Sequence, residues 1–186
     1  IKKKLLTGEK TQLESLIKQG VLPGAIIEKK YGRVYPQLYH ASQIIGFTNS
    51  NNVGLDGLEY SFNETLSPSP KVDETITYGN DITLTIDMSL QTILDIHIQN
   101  MVTEHLAQSG IGIIIESGTG AIKAVSQYPW YENEKYGQST EEERKNSFAL
   151  DMMEPGSVFK IFSLAAELDS NTISEDEEFF CDGSYD

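Results

Sequence analysis

The chain has 186 residues, 39% of them hydrophobic, with nine Tyr, seven Phe and one Trp, enough apolar material for one ordinary domain or two small ones and too much for wholesale disorder. Its net charge is −14, although residues 1–40 hold eight Lys or Arg against three Glu, so the acidity belongs to the remainder, above all Glu141-Glu142-Glu143 and Glu175-Asp176-Glu177-Glu178. An acidic body argues against nucleic acid as a partner, and the single cysteine, Cys181, excludes an internal disulfide and a thiolate metal cluster.

Cys181 is expected to be a half-buried, inert thiol. No apolar run is long enough to cross a bilayer and no signal-peptide pattern is present. The absence of an initiating methionine suggests a piece of a longer protein. The basic N-terminal part reads as solvated surface, with an anionic membrane as the alternative partner.

In chain order, residues 9–19 read as a short helix. Leu13, Leu16 and Ile17 form its apolar stripe, Thr11 with Glu14 resembles a capping box, and Gly20 is a natural stop. Residues 25–31 read as a strand, ended at Pro36, which cannot continue a ladder. An apolar segment over residues 40–47 runs into a turn-rich stretch, and Gly54-Leu55-Asp56-Gly57-Leu58-Glu59 opens a short helix through Tyr60 and Phe62. Residues 64–80 lack periodicity and read as a linker.

Residues 81–86 alternate and predict a strand. Asp87 then caps a helix to about Ser109, with Leu90, Leu94, Ile98, Met101, Val102 and Leu106 on one face and Gly110 as its end. Residues 111–115 and 121–127, joined by Ser117-Gly118-Thr119-Gly120, predict a hairpin. Residues 128–147 are polar and aromatic and read as a loop over the site. His97 and His105 lie two helical turns apart with no metal-ligand triad nearby, and a structural role is expected for both and for His40.

The stretch with chemical content is Glu154-Pro155-Gly156-Ser157-Val158-Phe159-Lys160. Glycine gives a tight entry, and proline before the serine resists the helix interior. The residues that follow are apolar on nearly every side, which predicts a buried central helix with Ser157 at its mouth. Residues three apart on a helix face the same way, so the Lys160 amine can reach the Ser157 hydroxyl. A serine needs an adjacent base, and lysine serves only where burial lowers its pKa towards roughly 7–8. The spacing alone is not specific, because Ser15 and Lys18 repeat it on an amphipathic helix.

With Asn146 before it and a Cys181-Asp182-Gly183 turn after it, this run resembles the first active-site motif of class B penicillin-binding proteins, the monofunctional D,D-transpeptidases that cross-link peptidoglycan. Three further signatures precede it in order: Arg33-x-Tyr35-Pro36, Ile44-Ile45-Gly46-Phe47-Thr48 and Gly54-Leu55-Asp56-Gly57-Leu58-Glu59. They are similar to the pedestal module that lifts the transpeptidase from the membrane.

The resemblance implies an α+β protein, with a small mixed pedestal module over residues 1–80 and the N-terminal part of a serine β-lactamase-like transpeptidase domain over residues 81–186. It implies Ser157 as nucleophile and Lys160 as general base, Arg33 and Glu59 as a structural ion pair, with unpaired surface charge as the alternative, and Gly156 as a structural residue. It implies no metal and no organic cofactor. The partners it implies are peptidoglycan stem peptides, β-lactams and cell-division membrane proteins, at the outer side of the cytoplasmic membrane, with an anchor upstream of this chain. The short pedestal is more similar to the division transpeptidase than to the elongation one.

Two departures are a Glu116-Ser117-Gly118-Thr119-Gly120 turn where the family reads Asp-Pro-x-Thr-Gly, and Ser147 where it commonly reads Arg. No Ser-x-Asn or Lys-Thr-Gly follows Lys160, so the isolated chain is expected to be inactive. Tyr131-x-Asn133, Ser50-x-Asn52 and Ser61-x-Asn63 precede the serine and are out of the family's order. A serine β-lactamase or β-lactam sensor, and a non-catalytic module that docks on division partners, remain the alternative readings.

Overall fold

A long helix lying on a two-stranded hairpin is the centre of the first of two units, Ile1–Arg144 and Lys145–Asp186. The computed structural model describes residues 5, 7–28, 32–68, 78–181 and 183. Helix α5 spans Met88–Glu104 and starts where the sequence demands: the Asp87 carboxylate accepts the N–H groups of Ser89 at 2.8 Å and Leu90 at 3.1 Å, two of the donors that a helix start leaves without a partner. The hairpin strands, β1 (Gly110–Ile115) and β2 (Ile122–Tyr128), are antiparallel, with Ile113 opposite Val125. Gly112 lets the helix come close, since a Cβ there would lie 2.9 Å from Leu94 Cδ1.

The helix is shorter than predicted and is turned differently. It ends at Glu104 because Leu106 adopts a left-handed conformation at φ 52°, and the Ala107 N–H closes back on Val102 O at 3.0 Å. Met101 and Leu106 are exposed, while Gln91, Asp95, Ile98 and Val102 are buried. The buried face thus mixes apolar and polar groups, and the expected all-apolar stripe is corrected.

Before this core, α1 (Thr7–Lys18) begins earlier than predicted, so Thr11 lies inside the helix and cannot cap it. Its end follows the sequence: Gly20, at φ 72°, donates to Ile17 O, and Val21 donates to Leu16 O. Residues 25–28 are not in a sheet, and the rest of that predicted strand, residues 29–31, lies outside the described residues. Helices α2 (Ser42–Ile45), α3 (Gly57–Ser61) and α4 (Asn63–Leu66) follow. The Asp56 side chain caps α3 by accepting the Gly57 N–H at 2.8 Å.

The predicted linker begins inside α4, and residues 69–77 lie outside the description. On its far side the Asn80 N–H donates to Thr65 O at 2.8 Å, so the chain returns to the end of α4. Residues 81–86 do not form a strand. They are tied to the start of β2 instead, through the Thr85 hydroxyl on Ile122 O at 2.6 Å and the Asp87 N–H on Lys123 O at 2.8 Å. The stretch after β2 is helical in part, with a 3-10 segment at Asn133–Gln138 and α6 at Glu141–Arg144.

The second unit carries α7 (Ser147–Leu150), a 3-10 turn at Gly156–Phe159 and α8 (Lys160–Asp169). The predicted helix forms, but it is not buried: Phe159, Ile161, Phe162 and Leu164 are all more than half exposed. Cys181 is exposed as well, which corrects the half-buried thiol expected from sequence. No described helix is long and apolar enough to cross a membrane.

Candidate active site

Ser157 and Lys160 meet at the junction of the 3-10 turn and α8. Gly156 opens the turn at φ +55°, a left-handed conformation suited to glycine, and the Val158 N–H donates to Pro155 O at 3.2 Å. The Lys160 N–H donates to Ser157 O, so the two residues are one 3-10 turn apart. In that geometry positions i and i+3 eclipse, which stacks the two side chains on one face. Both residues are exposed, and no hydrogen bond joins Ser157 Oγ to Lys160 Nζ among the described residues. The pairing is one of backbone placement, and the burial that would turn the lysine into a base is not supplied by α8.

Residues leading into the turn are held by charge. Lys145 Nζ lies 2.5 Å from Asp151 Oδ1. That hydrogen bond, followed by one to Ser147, holds the Asp151 carboxyl below its usual range. Asn146, the residue singled out ahead of the motif, has a buried Oδ1 with no partner among the described residues.

In the first unit, Arg33 and Glu59 form an ion pair. Arg33 Nε lies 3.1 Å from the buried Glu59 carboxylate, and its guanidinium also donates to Leu66 O at 3.2 Å, tying the pair to the end of α4. Tyr35, of the same signature, donates to Glu59 Oε1 at 3.4 Å and accepts the Thr48 N–H at 3.1 Å. Burial first, and the Glu59 charge after it, push the Tyr35 phenol up to about 12, against the opposing hydrogen bond from Thr48. Tyr131 is raised by burial too.

These phenols predict an alkaline limit to stability. A folded pKa above the unfolded 10.0 means that the native state holds its proton longer. The contribution is intact below pH 10 and is lost as pH rises towards about 12. The melting temperature of the chain is expected to fall over that window, and less steeply in Tyr35→Phe; tyrosinate absorbance followed with pH checks the assignment.

The out-of-order motifs have structural contacts. Asn133 is 1% exposed, and its Nδ2 donates to Ser42 O at 3.1 Å and Gly46 O at 2.5 Å. The Tyr131 hydroxyl donates to the same Ser42 carbonyl at 3.0 Å. Asn63 Oδ1 accepts the Gly54 N–H at 2.8 Å, and Asn52 occupies a turn at φ 61°. Sequence reading missed Gln91 and Asp95, which are buried and bonded to each other at 2.9 Å. The available signal was their i,i+4 spacing on a helix, outweighed by the aliphatic residues around them.

Residues 110–186 match the penicillin-binding protein transpeptidase domain. The chain is 29% identical over 187 residues to a probable peptidoglycan D,D-transpeptidase, PenA, of Neisseria gonorrhoeae, covering 87% of this chain and 32% of that protein. It is 27% identical over 175 residues to the peptidoglycan D,D-transpeptidase FtsI of Escherichia coli, covering 86% and 30%. Among solved structures, penicillin-binding protein 3 of Mycobacterium tuberculosis is similar at a TM-score of 0.70 and 25% identity over 79% of this chain and 33% of that one, both without ligand and in complex with aztreonam. The chain thus spans about a third of the length of the curated relatives it matches. Its mixed helices and strands agree with that fold, and over residues 110–186 the chain is similar to the transpeptidase domain of penicillin-binding proteins.

Proposed function

We propose that the protein containing this chain is a peptidoglycan D,D-transpeptidase, with Ser157 as nucleophile and Lys160 as general base. The observation that carries this reading is the stacking of the two residues on one turn at the head of α8, inside the matched residues. Ser157 Oγ attacks the carbonyl carbon of the D-Ala-D-Ala peptide bond of a stem peptide, and Lys160 accepts the hydroxyl proton. The tetrahedral centre collapses with loss of D-alanine, and the amine of a neighbouring stem releases the acyl group from Ser157. Backbone N–H groups at the head of the helix favour the negative charge that develops. A β-lactam enters as a donor mimic and leaves the serine acylated.

In this reading residues 1–80 are the pedestal and residues 81–186 the first part of the catalytic domain, with Arg33 and Glu59 bracing the pedestal. The protein works at the outer side of the cytoplasmic membrane, anchored upstream of this chain, in cell division together with other membrane proteins. The isolated chain, which has no Ser-x-Asn or Lys-Thr-Gly after Lys160, does not turn over.

The test is acylation of the full-length protein by a fluorescent penicillin, with peptide mapping of the adduct. The adduct is expected on Ser157, and Ser157→Ala is expected to lower labelling by roughly 10³-fold or more. Unchanged labelling in that variant, or an adduct on another residue, sinks the assignment. No labelling of the full-length protein at all favours the non-catalytic module.

A further inference from the structure

A polar relay runs through the contact between residues 38–47 and α5. Asp95 is 3% exposed and both of its carboxylate oxygens are taken, Oδ2 by His40 Nδ1 at 2.6 Å and Oδ1 by Gln91 Nε2 at 2.9 Å. Gln91, fully buried, extends the relay to β2. Its Nε2 donates to Val125 O at 2.7 Å and its Oε1 accepts the Val125 N–H at 3.0 Å. Among the described residues no lysine or arginine forms an ion pair with Asp95, so His40 is the partner of this buried carboxylate.

The backbone on either side of His40 is strained. Leu38 stands at φ 56° and Ala41 at φ 52°, in the left-handed region that non-glycine residues avoid and that persists only where the surroundings over-determine it. Leu38 is exposed, so packing of its own side chain does not hold it there. Stacked rings flank the relay, Tyr39 on Trp130 at 4.5 Å and Phe47 on Tyr136 at 4.0 Å. Stacks of this kind tolerate sliding, whereas a saturated buried hydrogen-bond network fixes one register.

We propose that His40, Asp95 and Gln91 form a latch that holds residues 38–41 in place on α5 and β2, ahead of the part that Tyr131 and Asn133 fix through Ser42 O and Gly46 O. When the His40 donor is removed, residues 38–41 open while α2, α5 and the hairpin stay folded. The latch does not depend on the acyl-transfer reading, and its test makes no use of Ser157.

Hydrogen exchange read by mass spectrometry on the 186-residue chain tests it with two variants. In His40→Ala the amides of residues 38–41 are expected to exchange about tenfold faster or more, which is about 1.4 kcal/mol of lost protection, while those of α2, α5, β1 and β2 keep their rates. In His40→Asn, whose side-chain N–H can take the place of imidazole Nδ1, most of the protection is expected to return. The latch is refuted if His40→Ala leaves residues 38–41 protected. It is equally refuted if protection falls by the same factor in α5 and the hairpin, or if His40→Asn is as open as His40→Ala, which would assign the effect to ring packing on Tyr39.

Discussion

Replacing Gly46 by Ala is expected to destabilise the first unit by about 4 kcal/mol or more, enough to unfold a marginal domain. Gly46 sits at φ 75° and ψ −159°, a region essentially closed to residues with a Cβ. A Cβ built there would also lie 1.8 Å from Asp56 O, a backbone atom that no rotamer change can move. The relation is mutual, because a Cβ on Gly57 would lie 2.5 Å from Ile44 O and 2.7 Å from Gly46 N. The glycines of the two signatures thus let backbone pass against backbone where α2 meets α3. Gly118, with open space around it and no positive φ, is the control, and Gly118→Ala is expected to be close to neutral. Denaturant midpoints of the two variants, with unfolding slopes unchanged, decide the matter.

Replacing Arg33 by Met is expected to be the next most damaging change, at about 3 kcal/mol. Glu59 has a side chain 9% exposed, and loss of the guanidinium leaves its charge facing only the Tyr35 hydroxyl. Arg33 is itself 35% exposed, which places the effect at the lower end of the range for a broken buried pair. Adding Glu59→Met removes the stranded charge, so the double variant is expected to be more stable than Arg33→Met alone. A double-mutant cycle measured by thermal unfolding checks this, and additive losses would show that the two groups act independently.

Local chemistry was legible in the sequence wherever one residue type had one physical solution. Asp87 before an apolar run could only be a cap, the Ser-Gly-Thr-Gly turn between two apolar segments gave the hairpin, and Gly156 ahead of Ser157 marked the helix mouth. Partnership was not legible. Residues 81–86 alternate like a strand, yet side-chain and cap contacts hold them at the start of β2, and a ladder needs a neighbour that periodicity does not name. The face of α5 was misjudged because hydrophobic pattern gives no weight to Gln91 and Asp95, whose burial depends on partners 34 residues ahead in β2 and 55 behind at His40. The apolar composition of α8 predicted burial, but composition measures demand for cover and not its supply.

The return of Asn80 to Thr65 has a consequence for where the chain can be lengthened. Because Asn80 rejoins α4 at Thr65, chain added after α4 has no long distance to span. Closing a flexible loop costs only about 0.6 kcal/mol more for each doubling of its length. An insertion there is therefore expected to leave the surrounding packing unchanged, which makes it the natural place to graft a fluorophore or affinity handle.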